Sequence, residues 1–247
     1  MTPQQEYIQQ LGYDSVNDDY KVVSISYNCN CHGNDHGFCE MSVNAYWVRN
    51  GTWENGPRKK LEGSLYDHGV GYRYSSGIFI HGYIHWLGVR LSDTSFVITA
   101  FDLGQGNKFK EVSPPSGVLG DQNFVFNHLV ELGGCLSWYP SSSWFPSSNA
   151  VDVYKMKEYD DIDSWTKFSI IHPEPIRVRP LCLLGKKQLV LLKNEGFSSQ
   201  KLEIYNLERG TSKDIAVLGI PSEFSVGGGF IESLVSPHCS IEAVREC

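Results

Sequence analysis

Sustained helical periodicity is the first thing this sequence lacks. No segment repeats apolar residues every three to four positions, so almost no helix is expected. Long apolar runs are missing too, and none approaches the roughly 18 residues of a membrane span. Nor is there a surplus of positive charge. With 21 Lys and Arg against 28 Asp and Glu, the net charge of −7 argues against a nucleic-acid face, which needs clustered cations. Met1–Glu6 has neither the basic nor the apolar region of a secretory signal. Seven Cys is an odd number, and with no secretory signal it leads us to expect reduced thiols and a cytoplasmic or nuclear location. The sequon Asn50-Gly51-Thr52 then reads as a hairpin turn.

What is present is turn chemistry and alternation. The chain carries 24 Gly and 11 Pro, and 13% of it is aromatic, which favours many strands and tight turns. Residues 151–168 show the pattern well: an alternating strand at Val151 and Val153, an acidic turn, and a second strand from Trp165. Lys155–Asp163 has helix-forming residues but no apolar face, and it reads as turn. Comparable units run from Gly77 to Val112 and from Leu181 to Val217. In the first unit Leu11–Val23 opens with a turn and runs into a strand ending near Tyr27, and Asn50-Gly51 reads as a type I′ hairpin with Trp53 starting the partner strand. A last strand is expected at Phe230–Val235.

Spacing turns these units into a repeat. Gly82, Gly134 and Gly185 are separated by 52 and 51 residues. An aromatic residue follows each glycine by 19 or 20 positions (Phe101, Tyr154, Tyr205), and a large apolar group follows each by four (Trp86, Trp138, Leu189). A period near 50 with four short strands per period is the signature of propeller blades. The expected fold is all-β, with about four repeats of four strands.

Several constellations could carry chemistry. Cys29, Cys31, His32, His36 and Cys39 could supply zinc ligands, but Cys-x-Cys is not a standard finger spacing. A Cys-rich inter-strand loop is the better reading, and no metal is expected. His81 and His85 alternate with Tyr83 and read as one face of a strand, buried and hydrogen-bonded, because no nucleophile signature accompanies them. Asp160, Asp161 and Asp163 lack the Gly and Glu of a calcium loop and read as a solvated turn. Gly227–Gly229 lacks the strand-to-helix context of a phosphate cradle. The loops at Asn28–Met41, Leu91–Ser95, Pro140–Ser148 and Asn194–Gln200 occupy equivalent points of the four repeats. Trp144 and Phe145, on the third of these, are the candidate partner-binding residues. They could equally cap the blade.

Leu11-Gly-Tyr-Asp-Ser-Val-Asn-Asp-Asp-Tyr-Lys-Val-Val23 resembles the entry motif of the plant F-box-associated interaction domain, type 1. Gly82–Trp86, Ile98–Leu103 with Phe109–Val112, Met156–Tyr159 with Ser164–Lys167, and Glu232–Pro237 are similar to later motifs of that family, in the same order. The resemblance covers residues 11–237, leaving 1–10 as an N-terminal remnant and 238–247 as a tail. It implies a kelch-like propeller that recruits a protein for an SCF-type ubiquitin ligase. The family's F-box and an early part of its propeller would precede Leu11. From this we expect an incomplete propeller, with a Skp-type adaptor and cullin engaged only through an upstream F-box.

Three functions compete. The first is a non-catalytic recognition module, with no cofactor, no membrane and no nucleic acid as partner. The second is a propeller hydrolase or glycosidase using Asp102, Asp152 and Glu203, which stand near corresponding strands. Their alternation with apolar neighbours reads as solvent-facing, against a catalytic cluster. The third is a carbohydrate-binding propeller, suggested by aromatic content alone.

Overall fold

The computed structural model describes residues 6–29, 39–61, 77–90, 95–104, 108–116, 126–141, 148–175, 177–195 and 199–215. They form four sheets. The first contains β1 (Glu6–Asp14), β2 (Asp19–Cys29), β3 (Cys39–Trp47) and β4 (Thr52–Leu61). The second contains β5 (Ile78–Ile80), β6 (Tyr83–Arg90), β7 (Ser95–Asp102) and β8 (Phe109–Val112). In the third are β9 (Phe126–Glu131), β10 (Leu136–Ser141), β11 (Ala150–Met156) and β12 (Trp165–Ile171). The fourth holds β13 (Arg177–Leu184), β14 (Gln188–Glu195), β15 (Ser199–Asn206) and β16 (Thr211–Ile215). Each sheet takes its strands in sequence order, so every pairing joins chain neighbours. The expected all-β fold with four repeats of four strands is what is found. Helical structure among the described residues is limited to one 3-10 turn, Ile162–Ser164, inside the acidic turn.

The repeat glycines have a conformational cause. Gly82, Gly134 and Gly185 sit in the turn between the first and second strands of the second, third and fourth sheets, with φ of +80°, +76° and +64°. Nothing lies within 4 Å of where a Cβ would stand on any of them. The backbone angle, rather than crowding, therefore selects glycine. A second regularity follows the third strand. The next residue donates its N–H back towards the start of the second strand: Val48 to Tyr20 O, Leu103 to Gly82 O, and Leu207 to Lys187 O.

Two compact units divide the strands, β1–β8 and β9–β16. In the first unit, Val23, Ile25, Val43 and Ala45 of the first sheet meet Ile84, Trp86, Phe101 and Leu103 of the second. In the second unit, Val130, Tyr139, Val153 and Ile170 of the third sheet meet Val178, Leu189, Leu191 and Tyr205 of the fourth. These side chains recur at alternate strand positions, as one buried face of a sheet requires. The Tyr205 hydroxyl also accepts from the Ile171 N–H at 3.1 Å, tying β15 to β12.

Three local expectations need correction. Leu11–Asp14 belongs to β1, and the turn begins only at residue 15. Asn50-Gly51 does not form a two-residue type I′ turn. The β3–β4 connection spans residues 48–51, only Gly51 has positive φ, and Gly51 N–H donates to Trp47 O. His81 is not on the strand; it shares the β5–β6 turn with Gly82, exposed and at φ +51°. His85 behaves as expected, fully buried, with its Nδ1 3.2 Å from Ile78 O. The strand expected at Phe230–Val235 and the Gly227–Gly229 turn lie outside the described residues.

Candidate recognition surface

Each sheet joins its second and third strands by a connection of different length: 30–38, 91–94, 142–149 and 196–198. These are the four equivalent loops expected from the sequence. Trp144 and Phe145 fall within 142–147 and lie outside the described residues, as do Cys31, His32 and His36 of the Cys-rich stretch. The backbone register does bring Cys29 opposite Cys39 at the end of the β2–β3 pair.

The family-like motif at residues 11–23 has become a structural joint in the first unit. Gly12 is required by contact: a Cβ there would stand 2.4 Å from Leu103 Cδ1 and 2.8 Å from Phe79 Cδ2. Asp14 accepts from the N–H groups of Val16 and Asn17 and from Asn17 Nδ2, closing the β1–β2 turn. Its other role is an ion pair with Lys21 at 2.7 Å, with both side chains buried. Lys21 also donates to Leu103 O and lies 3.7 Å from the centre of the Trp47 ring. Burial opposes charge on Asp14, but the bonds from Lys21, Asn17 and Val16 outweigh it and hold the carboxyl below its usual range. Asp19 accepts from the Arg49 and Tyr20 N–H groups, and Asp18 from the Tyr13 hydroxyl and the Arg49 guanidinium. Every charged residue of the motif is therefore committed to holding strands together.

Elsewhere the family-like stretches also pack. Phe109 meets Trp86 edge-on at 6.0 Å and Phe101 at 5.3 Å. Trp165 donates its indole N–H to Ser113 O.

Each of the three repeat carboxylates is engaged by partners within its own unit. Asp102 accepts from the Gly104 N–H and caps a turn. Asp152 is half-buried, bound to Lys167 at 2.7 Å and to the Ser169 hydroxyl. Burial opposes its charge, and those two bonds lower its pKa nonetheless. Glu203 overturns the expectation of a solvent-facing residue. It is 2% exposed, with Oε1 3.1 Å from Lys193 Nζ and 3.6 Å from His172 Nε2. Its Oε2 is buried without a hydrogen-bond partner. Asp160, Asp161 and Asp163 form the expected solvated turn, in which Asp161 caps the 3-10 turn by accepting from the Asp163 N–H. No group of metal-ligating side chains is found among the described residues.

A polar patch that sequence reasoning missed lies at the end of the fourth sheet bearing the 196–198 connection. Arg177, Asn194 and Gln200 are direct cross-strand partners and so share a face. Arg179 lies two residues along β13 on the same face, and its charge works against the rise that burial imposes on the pKa of the Tyr139 hydroxyl. His128 stacks on Tyr139 at 5.1 Å. Burial, helped by the Arg179 charge, lowers the His128 pKa to about 4, so the ring is neutral at pH 7. Arg179 Nε, Asn194 Oδ1 and Gln200 Oε1 are buried without hydrogen-bond partners. The readable signal was Arg177-x-Arg179 alternating on a strand whose neighbours are apolar.

Four consecutive antiparallel meanders with turn residues in a fixed frame define a β-propeller. Residues 1–240 match the family described as the F-box associated beta propeller domain, and the chain belongs to it. It is 29% identical over 228 residues to F-box protein CPR1 of Arabidopsis thaliana, covering 87% of this chain and 53% of that protein. It is 28% identical over 233 residues to the F-box/kelch-repeat protein At3g23880 of the same plant, covering 92% and 56%. The chain thus spans about half the length of these curated relatives. No solved structure matches it significantly. No described helix is long and apolar enough to cross a membrane.

Proposed function

We propose that this chain is a non-catalytic protein-recognition module, the substrate-binding part of an F-box protein in an SCF-type ubiquitin ligase of the cytoplasm or nucleus. The observation that carries the reading is the contrast between frame and connections. The sixteen described strands keep one order and antiparallel pairing in every sheet, while the four connections between second and third strands differ in length and composition. A rigid scaffold presenting variable loops is how recognition surfaces are built. Adaptor and cullin binding would fall to an F-box, not to these sheets. Against a hydrolase stands the occupation of Asp102, Asp152 and Glu203 by structural partners in separate sheets.

The test is site-specific photo-crosslinking. A benzophenone residue at position 144 or 145 should capture a protein from plant extract, and one at exposed Lys213 on β16 should not. The captured protein should then be ubiquitinated in a reconstituted ligase that contains the full-length F-box protein. Equal capture at all three positions, or none, would refute the reading.

A further inference from the structure

We infer that Cys29 and Cys39 form a redox-reversible staple, a pair of thiols that oxidised glutathione joins into a cross-strand disulfide at the end of the first sheet. Backbone register carries the inference. The β2–β3 ladder runs unbroken from Lys21↔Trp47 to Cys29↔Cys39, its last pair. Its phase is fixed at the other end, where Val48 donates its N–H to Tyr20 O. Hydrogen-bonded and non-hydrogen-bonded pairs alternate along an antiparallel ladder. From Tyr20 to Cys29 is nine residues, an odd number, so Cys29↔Cys39 is a non-hydrogen-bonded pair. In such pairs the side chains are closer and the Cα atoms only about 4.5 Å apart. That lies inside the roughly 4.4–6.8 Å that a disulfide spans.

The same ladder shows how near its strands come. Three pairs earlier, Ser26 and Ser42 stand opposite each other in a hydrogen-bonded, wider pair, and their Oγ atoms are 2.6 Å apart. Serine has the shape of cysteine, so this spacing already lets two such side chains touch. No other ladder among the described residues sets two cysteines opposite each other. Cys135 and Cys182 are free thiols, and Cys182 is opposite Val190 in register. Burial, helped by the Glu131 charge, pushes the Cys182 thiol up, so it carries little reactive thiolate.

The chemistry is thiol–disulfide exchange. The thiolate of one cysteine attacks a sulfur of oxidised glutathione, forming a mixed disulfide and releasing one glutathione thiolate. The thiolate of the other cysteine attacks that mixed disulfide and releases the second. Two protein thiols are oxidised, one oxidised glutathione is reduced to two glutathiones, and the two thiol protons pass to them. With reduced glutathione in excess the same steps run backwards, and the pair returns to thiols. The bond joins the two strand ends from which the 30–38 connection leaves, one of the four whose length differs between sheets. It does not depend on what those connections bind.

Mass spectrometry tests this. The purified chain is reduced, equilibrated with oxidised glutathione, alkylated and mapped. Peptides linked through Cys29 and Cys39, lighter by two hydrogen atoms and released by dithiothreitol, are expected, with Cys135 and Cys182 still alkylated. The Cys29 and Cys39 thiols should disappear about tenfold or more faster than those of Cys135 and Cys182. C31S should form the link as the parent does, and C39S should not. Because C39S could disturb the strand end, hydrogen exchange of the unmutated protein supplies an independent reading. Asn28 and Glu40 form the adjoining, hydrogen-bonded pair. Their amides should exchange about tenfold more slowly in the oxidised protein, because the strand end can no longer fray. Linkage of Cys29 or Cys39 to Cys31, loss of the link in C31S, a mixed disulfide that persists in the parent, or equal exchange of the two amides in both states would each overturn the staple.

Discussion

Asp14→Asn isolates a buried ammonium. In the parent protein Lys21 has three partners: the Asp14 carboxylate, Leu103 O and the Trp47 ring. The substitution leaves the carbonyl, the ring and a neutral amide in place of the carboxylate to stabilise a charge on a residue that is 2% exposed. Removing one member of a buried ion pair costs about 3–5 kcal/mol. At roughly 2–4 °C per kcal/mol for a chain of this size, the melting temperature should fall by about 6–20 °C. Asp14→Leu combined with Lys21→Met removes both charges and should recover much of the loss. It should not recover all of it, because Asp14 also closes the β1–β2 turn through Val16 and Asn17. Acid dependence gives a second readout. Asp14 has its pKa lowered on folding, so its contribution is complete above the unfolded value near 3.9 and is lost as pH falls through the folded value. The acid limb of the stability curve should therefore be shallower in Asp14→Asn. Calorimetry at pH 7, repeated towards pH 3, measures both effects. A melting temperature within about 2 °C of the parent would show that the pair does not hold this joint.

Two glycine replacements should fail for different reasons. Gly134→Ala should cost about 1–2 kcal/mol through its left-handed backbone alone, and Gly12→Ala should be relieved by adding Leu103→Ala; urea melts of the three variants separate the cases. Glu203→Gln should lower stability by about 3 kcal/mol, the lower end for a broken buried pair because Lys193 keeps some exposure; an unchanged denaturation midpoint would contradict this. Trp144→Ala or Phe145→Ala should cost about 1–2 kcal/mol or more of affinity for the crosslinked partner at unaltered melting temperature. A drop of several degrees would instead identify a cap on the blade.

The units from Gly77 to Val112 and from Val151 to Phe168 could be read from sequence because their signals are local. Alternation marked the buried faces, and left-handed turns selected glycine at a fixed frame. The failures were all set by distant residues. Leu11–Asp14 looked like a turn because its strand character depends on Gly12 packing against Phe79 and Leu103. The β3–β4 turn is longer than Asn50-Gly51 suggested because Asp19 accepts from the Arg49 N–H and Tyr20 O from the Val48 N–H, about 30 residues away. Glu203 alternates with apolar neighbours, as a surface residue would, yet it stands beside buried Leu191 on the face of β15 that packs into the core. Its partner His172 lies just past the end of β12, beyond the reach of any periodicity argument. The basic face of the fourth sheet went unread for the same reason, since Arg177, Asn194 and Gln200 meet only through register.

The left-handed turns at Gly82, Gly134 and Gly185 stand at the end of the second strand opposite the variable connection. Pairing is therefore counted from the turn, and no strand depends for its register on how many residues close the far end. The β6–β7 ladder runs unbroken from Tyr83↔Asp102 to Arg90↔Ser95, and the β14–β15 ladder from Gln188↔Asn206 to Glu195↔Ser199. A connection of new length is therefore expected to leave both ladders in register, which makes 91–94 and 196–198 the places to exchange sequence in this propeller.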